Sequence, residues 1–168
     1  MKRLLRAFSI ILFSFLLYLV YSGSMRLYDI VTGIAVSLAI GIIMAPIVVE
    51  NWRKSLDIYR LLYLIKYIIV YFFIYEVKSH LNVIKLGLSP SMPIRPGVVR
   101  VPICSKSGYA LTLLSLSITN TPGTVVVDID EDKSTLYVNW IYVTTVESEK
   151  VYREVVGEFD VYAKKIFD

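Results

Sequence analysis

The chain has little of what most catalytic and metal chemistry needs: one cysteine (Cys104), one histidine (His80) and no glutamine in 168 residues. A lone cysteine excludes an internal disulfide framework, and with a lone histidine it excludes a His/Cys metal cage built from this chain alone. A Ser-His-Asp triad would have to use His80, which has no nucleophile motif beside it. Neither a GxGxxG nor a GxxxxGK[ST] run occurs, so no nucleotide cradle is encoded and no cofactor is expected. Charge is scarce too, at 19% of residues against 56% hydrophobic. Much of the apolar excess sits in the first half, where a soluble core of this size could not bury it. A membrane protein with a small polar tail domain is expected.

Residues 1–75 carry 8 Lys/Arg against 3 Asp/Glu, whereas residues 76–168 carry 10 against 11. Basic charge beside apolar runs orients a chain in a bilayer; a nucleic-acid surface would cluster it on a soluble face, so no nucleic-acid partner is expected. Lys2, Arg3 and Arg6 precede an uncharged run of 19 residues from Ala7 to Met25. That is close to the roughly 20 residues needed to cross a hydrocarbon core. Ser22-Gly23-Ser24 could close a signal peptide, but the next apolar run follows too soon, so a retained span is expected. Ile30 to Val49 is a second uncharged run, of 20 residues. In it Gly33, Ser37 and Gly41 form a small-residue stripe at four-residue spacing, which lets another helix backbone approach closely in lipid. The bland alternative is that small residues are simply common in spans. Pro46 sits near the end of the run, where a kink costs least.

The third apolar segment, Leu61 to Tyr75, holds Tyr63, Tyr67, Tyr71 and Tyr75 four apart. Four amphipathic rings on one helical face suit a headgroup-level surface or a partner groove. Arg53, Lys54 and Arg60 precede this segment, and Lys78, Lys85, Arg95, Arg100 and Lys106 follow it. If it crossed, those five positives would lie outside, against the positive-inside rule. The charge bias therefore favours two spans plus a long non-crossing helix, with crossing as the alternative. Lys66, inside the run, is the candidate intramembrane charge: either part of a proton path or a lysine stem snorkelling from an interfacial helix.

Ser89-Pro90 and Met92-Pro93 end the third helix. Beyond them the pattern predicts β-α-β-β-α: a strand over Val98–Val101, a helix over Gly108–Ile118 and a hairpin over 125–142. In the hairpin, Val125, Val127 and Ile129 share one face, followed by Leu136, Val138, Trp140 and Tyr142 at alternate positions. The last helix, Glu147 to Phe167, has a buried stripe at 151, 155, 159, 162 and 166. The division expected is a membrane-associated helical region over 1–93 and a cytoplasmic α+β domain over 94–168. A three-stranded sheet this small would barely fold alone, so docking on the membrane or a partner is expected. Asp128, Asp130 and Asp132 imitate the start of a calcium loop. Lys133 stands where glycine is needed and Asn139 where a bidentate glutamate is needed, so the run is read as a solvated hairpin tip and no metal site is expected. Cys104, with no CxxC partner or activating histidine, is expected to pack and not to react.

The stretch LTLLSLSITNTPGTVVVD (Leu111 to Asp128) resembles the LTLLANLITLTPGTLTVDV signature of the E subunits of multisubunit Na+/H+ antiporters, the Mrp or Mnh type. Arg95-Pro96-Gly97 sits in a segment similar to that family's IRPGIV. Thr135 to Trp140 resembles its TLYVHW strand, and Tyr75 to Val83 its WELLKSNLDV junction. The motif residues singled out are Arg95, Pro96, Gly97, Thr121, Pro122, Gly123 and Asp128. Asn139 departs from the pattern, standing where histidine is usual, which argues against essential proton chemistry there.

The resemblance implies an accessory, non-catalytic subunit with a cytoplasmic tail. Its partners would be the lipid bilayer and other membrane subunits of an antiporter, or of an archaeal hydrogenase-type or sulfur-reducing complex; it is not expected to function alone. The rival from another class is a membrane-tethered sensor whose α+β tail binds a small ligand. A membrane-anchored hydrolase lacks a nucleophile–base pair.

Overall fold

The computed structural model describes residues 2–49 and 51–168, with the side chains of 6–49, 51 and 53–168; the flanking charges Lys2 and Arg3 lie outside the described side chains. The chain forms two compact units, 1–58 and 59–168. The first is helical: α1 (Lys2–Ser22), α2 (Leu27–Val48) and a short α3 (Trp52–Ser55). The small-residue turn between α1 and α2 is tied by the Ser24 hydroxyl, which donates to Asp29 in the first turn of α2 at 2.6 Å. Pro46 lies in the last turn of α2, where little helix remains to disturb.

A continuous helix of 31 residues, Ile58–Leu88, starts on the last residue of the first unit and opens the second. It comprises α4 (Ile58–Val70), a single π-helical turn (Tyr71–Tyr75) and α5 (Glu76–Leu88). It stops at Ser89, before Pro90. The remainder follows the expected order: β1 (Gly97–Pro102), α6 (Gly108–Asn120), β2 (Thr124–Asp130), β3 (Thr135–Trp140), α7 (Ser148–Val151), a second π turn (Tyr152–Val156) and α8 (Gly157–Phe167). The sheet is antiparallel throughout, in the order β1-β3-β2.

The second unit has three layers. Val99 and Val101 of β1 and Leu136 and Val138 of β3 face Ala110, Leu114 and Ile118 of α6 and Val151, Val155, Val156 and Ala163 of the last helical stretch. The long helix covers the far side of that helical layer through Tyr67 and Tyr71. This explains why the units divide before the third helix, whereas the change from membrane-type to α+β sequence comes at 93/94. The third helix is apolar in composition, but it shares its core with the small domain.

One strand departs from the expected alternation. The register of β2 slips between Val126 and Asp128, leaving Val127 as a bulge. Val126 and Ile129 therefore pack against the core, while Val125 and Val127 are exposed. A strict period of two puts Val125, Val127 and Ile129 together; one extra residue flips everything before it. The stripe at 151, 155, 159, 162 and 166 is buried or half-buried.

Candidate functional site

Along the α1–α2 seam Gly33, Ser37, Gly41 and Ala45 are buried. A methyl on Gly33 would meet the Tyr18 ring at 2.7 Å, and one on Gly41 would collide with Ile11. The stripe is thus packed against α1 of the same chain. Outside it, Val31, Ile42, Ile43 and Ile47 of α2 and Phe13, Leu16 and Leu17 of α1 expose apolar side chains. Helices α2 and 58–88 are each long and apolar enough to cross a membrane; the apolar stretch Arg6–Ser22 is shorter.

The second seam joins the long helix to α6 and α8. The Arg60 guanidinium donates to the Ile166 carbonyl at 2.9 Å, and Lys165 sits 5.1 Å above the Tyr63 ring. The Tyr67 ring lies 5.3 Å from that of Tyr162, and the rings of Tyr71 and Tyr75 lie 6.0 and 4.9 Å from Phe159. As numbers rise along the long helix they fall along α8, so the two run antiparallel. Four-residue steps on an α-helix drift by about 40° each. The wider π turn at Tyr71–Tyr75 offsets that drift and brings Tyr75 back toward the face holding Tyr67 and Tyr71. The tyrosine face therefore meets the chain's own domain.

The hydroxyls of its last three rings are engaged. Tyr67 is hydrogen-bonded to the Ser117 hydroxyl, Tyr75 donates to Glu158, and Tyr71 donates to Glu76 at 2.6 Å. Asn120 donates to the same Glu76 oxygen at 2.7 Å, and His80 Nδ1 lies 2.8 Å from the Glu76 carbonyl. Lys66 is exposed on the outer side of this helix, with no hydrogen bond or ion pair among the described residues.

A buried carboxylate that sequence reasoning missed holds the β1–α6 loop. Asp160, fully buried on α8, accepts from the Cys104 amide at 2.7 Å, the Ser105 amide at 2.9 Å, the Ser105 hydroxyl at 2.5 Å and the Tyr152 hydroxyl at 3.1 Å. Burial, with the Asp160 charge beside it, pushes the Tyr152 phenol up to about 12. The available signal was an acidic residue on the buried side of the last helix, between Phe159 and Ala163. Cys104 does not pack as expected; only its amide is engaged and the residue is exposed.

The motif residues do structural work. The hydroxyls of Thr121 and Thr124 both donate to the Ile118 carbonyl, at 2.9 and 2.7 Å, closing the C-terminus of α6. Gly123 has φ +102°, and a methyl there would come within 3.1 Å of Ile141 and 3.4 Å of Val83. Arg95 pairs through its backbone with Ile141 and Val143, leading into Gly97 and β1. Pro96, Asp128 and Asn139 are exposed. At the hairpin tip Lys133 bridges Asp130 at 2.7 Å and holds its carboxyl below the usual range. Among the described residues no group of three His, Cys, Asp or Glu could hold a metal.

Between α5 and the domain runs an open groove of about 770 Å3, whose walls include Lys78, Lys85, Thr121, Gly123 and Trp140.

A family model described as "Na+/H+ ion antiporter subunit" (MNHE) matches residues 11–166, from α1 into α8. The chain belongs to that family. It is 34% identical over 129 residues to the Na(+)/H(+) antiporter E subunit of Alkalihalophilus pseudofirmus, covering 75% of this chain and 80% of that protein. With the antiporter's E1 subunit from Staphylococcus haemolyticus it shares 31% over 148 residues, 83% of this chain and 90% of the other. A chain in the structure of the membrane-bound sulfane sulfur reductase, an archaeal respiratory membrane complex, has the same fold: TM-score 0.84 and 24% identity over 96% of this chain and 99% of that one. As a member of a family of antiporter subunits, the chain is a membrane protein and one component of a multisubunit assembly.

Proposed function

We propose that this chain is an accessory, non-catalytic subunit of a cation/proton antiporter module. α1 and α2 cross the bilayer, the long third helix lies along the cytoplasmic face, and the α+β domain braces that face against neighbouring subunits. The observation that carries the functional reading is the unbroken family match over residues 11–166, which takes in the helices and the domain together. The in-plane helix rests on its two faces. Tyr67 and Tyr71 are sealed beneath a domain bearing Glu158, Lys164 and Lys165, while Ile68, Ile69, Phe72 and Phe73 are exposed on the same stretch. A helix with folded, charged protein on one side and bare apolar side chains on the other fits the bilayer boundary better than the hydrocarbon interior. Lys66 then snorkels toward the headgroups.

Deleting Arg95 to Asp168 is expected to prevent assembly or ion exchange without creating stand-alone transport; intact assembly and exchange after that deletion would falsify the bracing role. Lys66→Ala should leave exchange normal in an assembled complex, whereas loss of exchange with assembly intact would assign it to the ion path. Single-cysteine labelling at Phe73 and Val146 from either side of the membrane, with Cys104 replaced by serine, tests the topology. Both should report the cytoplasmic side or the interface; Phe73 reached from neither side, with Val146 labelled only from outside, would mean that the helix crosses. The proteins that co-purify in mild detergent distinguish the host: large antiporter-like subunits alone for an antiporter, iron–sulfur partners for a respiratory complex. Solitary purification, with a thermal shift of the protein by metabolites, would favour the sensor.

A further inference from the structure

We propose that the groove between α5 and the α+β domain binds the headgroup of an anionic phospholipid. Three faces of α5 make the case. Val83 and Leu86 line the groove toward the domain. Val77, Leu81, Ile84 and Leu88 form a second, exposed apolar face. Lys78, Asn82, Lys85 and Ser89 recur at steps of four, three and four, which puts them on one flank between those two faces, and all four line the groove. Two ammonium groups and two neutral polar groups thus stand on the border between apolar surface and an open cleft.

Charge separates this flank from the opposite wall. Neither Lys78 nor Lys85 has an ion-pair partner among the described residues. The acids that line the same groove are already engaged, Glu158 by Tyr75 and Glu154 by Thr144 at 2.8 Å. Arg153, also in the wall, is paired with Glu149. The Glu154 and Glu158 carboxylates keep their charge on the second π turn and α8, so the cationic part of the groove is the α5 flank. The other wall presents Trp140, Tyr142, Pro122 and Ile141, apolar or amphipathic surface suited to the glycerol and upper acyl region. A ligand with an anionic head and an apolar body matches all three surfaces; a free inorganic anion would leave the apolar walls unused. The inference rests on the in-plane arrangement of the third helix, which brings this flank to headgroup level.

Trp140 lies in the groove, and the chain's other tryptophan is Trp52. The test therefore uses the full-length chain carrying Trp52→Phe, reconstituted in vesicles of phosphatidylcholine alone or with phosphatidylglycerol, one lipid at a time brominated on its acyl chains. Brominated phosphatidylglycerol should quench Trp140 more than an equal fraction of brominated phosphatidylcholine. Lipid enrichment should reach about five-fold per lysine and be lost with Lys78→Ala and Lys85→Ala together. The pair Lys164→Ala and Lys165→Ala, outside the groove, should keep it. Equal quenching by both lipids, or an excess that survives the Lys78/Lys85 change, overturns the headgroup site while leaving the in-plane helix standing. An excess abolished by inorganic phosphate in the buffer makes the groove a free-anion site and overturns the lipid assignment. No quenching by either lipid overturns the in-plane arrangement as well.

Discussion

The two seams of this molecule are built from opposite ends of the residue scale. Between α1 and α2 the contact is made by Gly33, Ser37, Gly41 and Ala45, with almost nothing projecting from α2. Between the long helix and the domain it is made by Tyr67, Tyr71, Tyr75, Phe159 and Tyr162, some of the largest side chains available. In lipid, apolar area exposed to acyl chains is no worse off than apolar area buried, so helices associate through close backbone packing. Where one side of the contact is a water-facing domain, burying large aromatic area is itself the driving force, and the hydroxyls need partners. The long helix therefore has a membrane-like composition and a soluble-protein interface. Its 31 residues are long and apolar enough to cross a membrane, yet Tyr67 and Tyr71 on one face are buried against the domain.

Substitutions that respect one seam's rule should fail in the other. The largest effect is expected for Tyr67→Ala, which opens a cavity at the centre of the aromatic seam and should cost about 3–5 kcal/mol. Denaturant unfolding of the full chain would measure it, with early proteolytic release of the long helix as the structural readout; Tyr67→Phe, which removes only the hydroxyl, should cost about 1 kcal/mol. Next is Asp160→Ala, which strips the acceptor from the Cys104 and Ser105 amides and should cost about 2–4 kcal/mol in the same assay. The loop at 103–107 should then exchange its amide hydrogens faster.

In the small-residue seam Gly41→Val should cost about 1–3 kcal/mol through overpacking against Ile11, read as a lower Tm in detergent. An enlargement at Ile42, exposed on the other side of α2, such as Ile42→Phe, should be neutral. The smallest effect is alkaline. The Tyr152 phenol is raised in the folded chain, so its stabilising contribution is intact below pH 10 and fades as pH rises toward about 12. Tyr152→Phe should flatten that part of the stability–pH curve and, at neutral pH, cost about 1 kcal/mol for the hydrogen bond lost from Asp160.

Several elements were legible from residue order alone because their cause is local. The uncharged run Ile30–Val49, the Ser89-Pro90 stop, the alternation of Leu136 and Val138 and the stripe from Val151 to Ile166 each follow from periodicity or backbone chemistry within a few residues. The occupant of the tyrosine face was not legible. Four rings at four-residue spacing define a face, but lipid, a partner and the chain's own α8 all satisfy it equally. Asp160 escaped because its ligands lie at Cys104 and Ser105, more than fifty residues away. The bulge at Val127 escaped because it is a property of pairing with β3 and not of β2 itself. In the last helix and the long helix alike, runs of four-residue steps were a cue to the π turns that straighten them.

Residue order by itself determined the apolar front half, the boundaries of most helices and strands, and the motifs that mark the family. These depend on hydrophobic period, proline geometry and charge bias, all short-range along the chain. Tertiary structure alone decided which helix meets which: that the small-residue stripe lies on α1, that the third helix joins the domain, and that a buried carboxylate clasps a distant loop. Those outcomes are choices among partners of similar chemistry, and only packing in three dimensions, where shape and hydrogen-bond satisfaction are settled together, can make them.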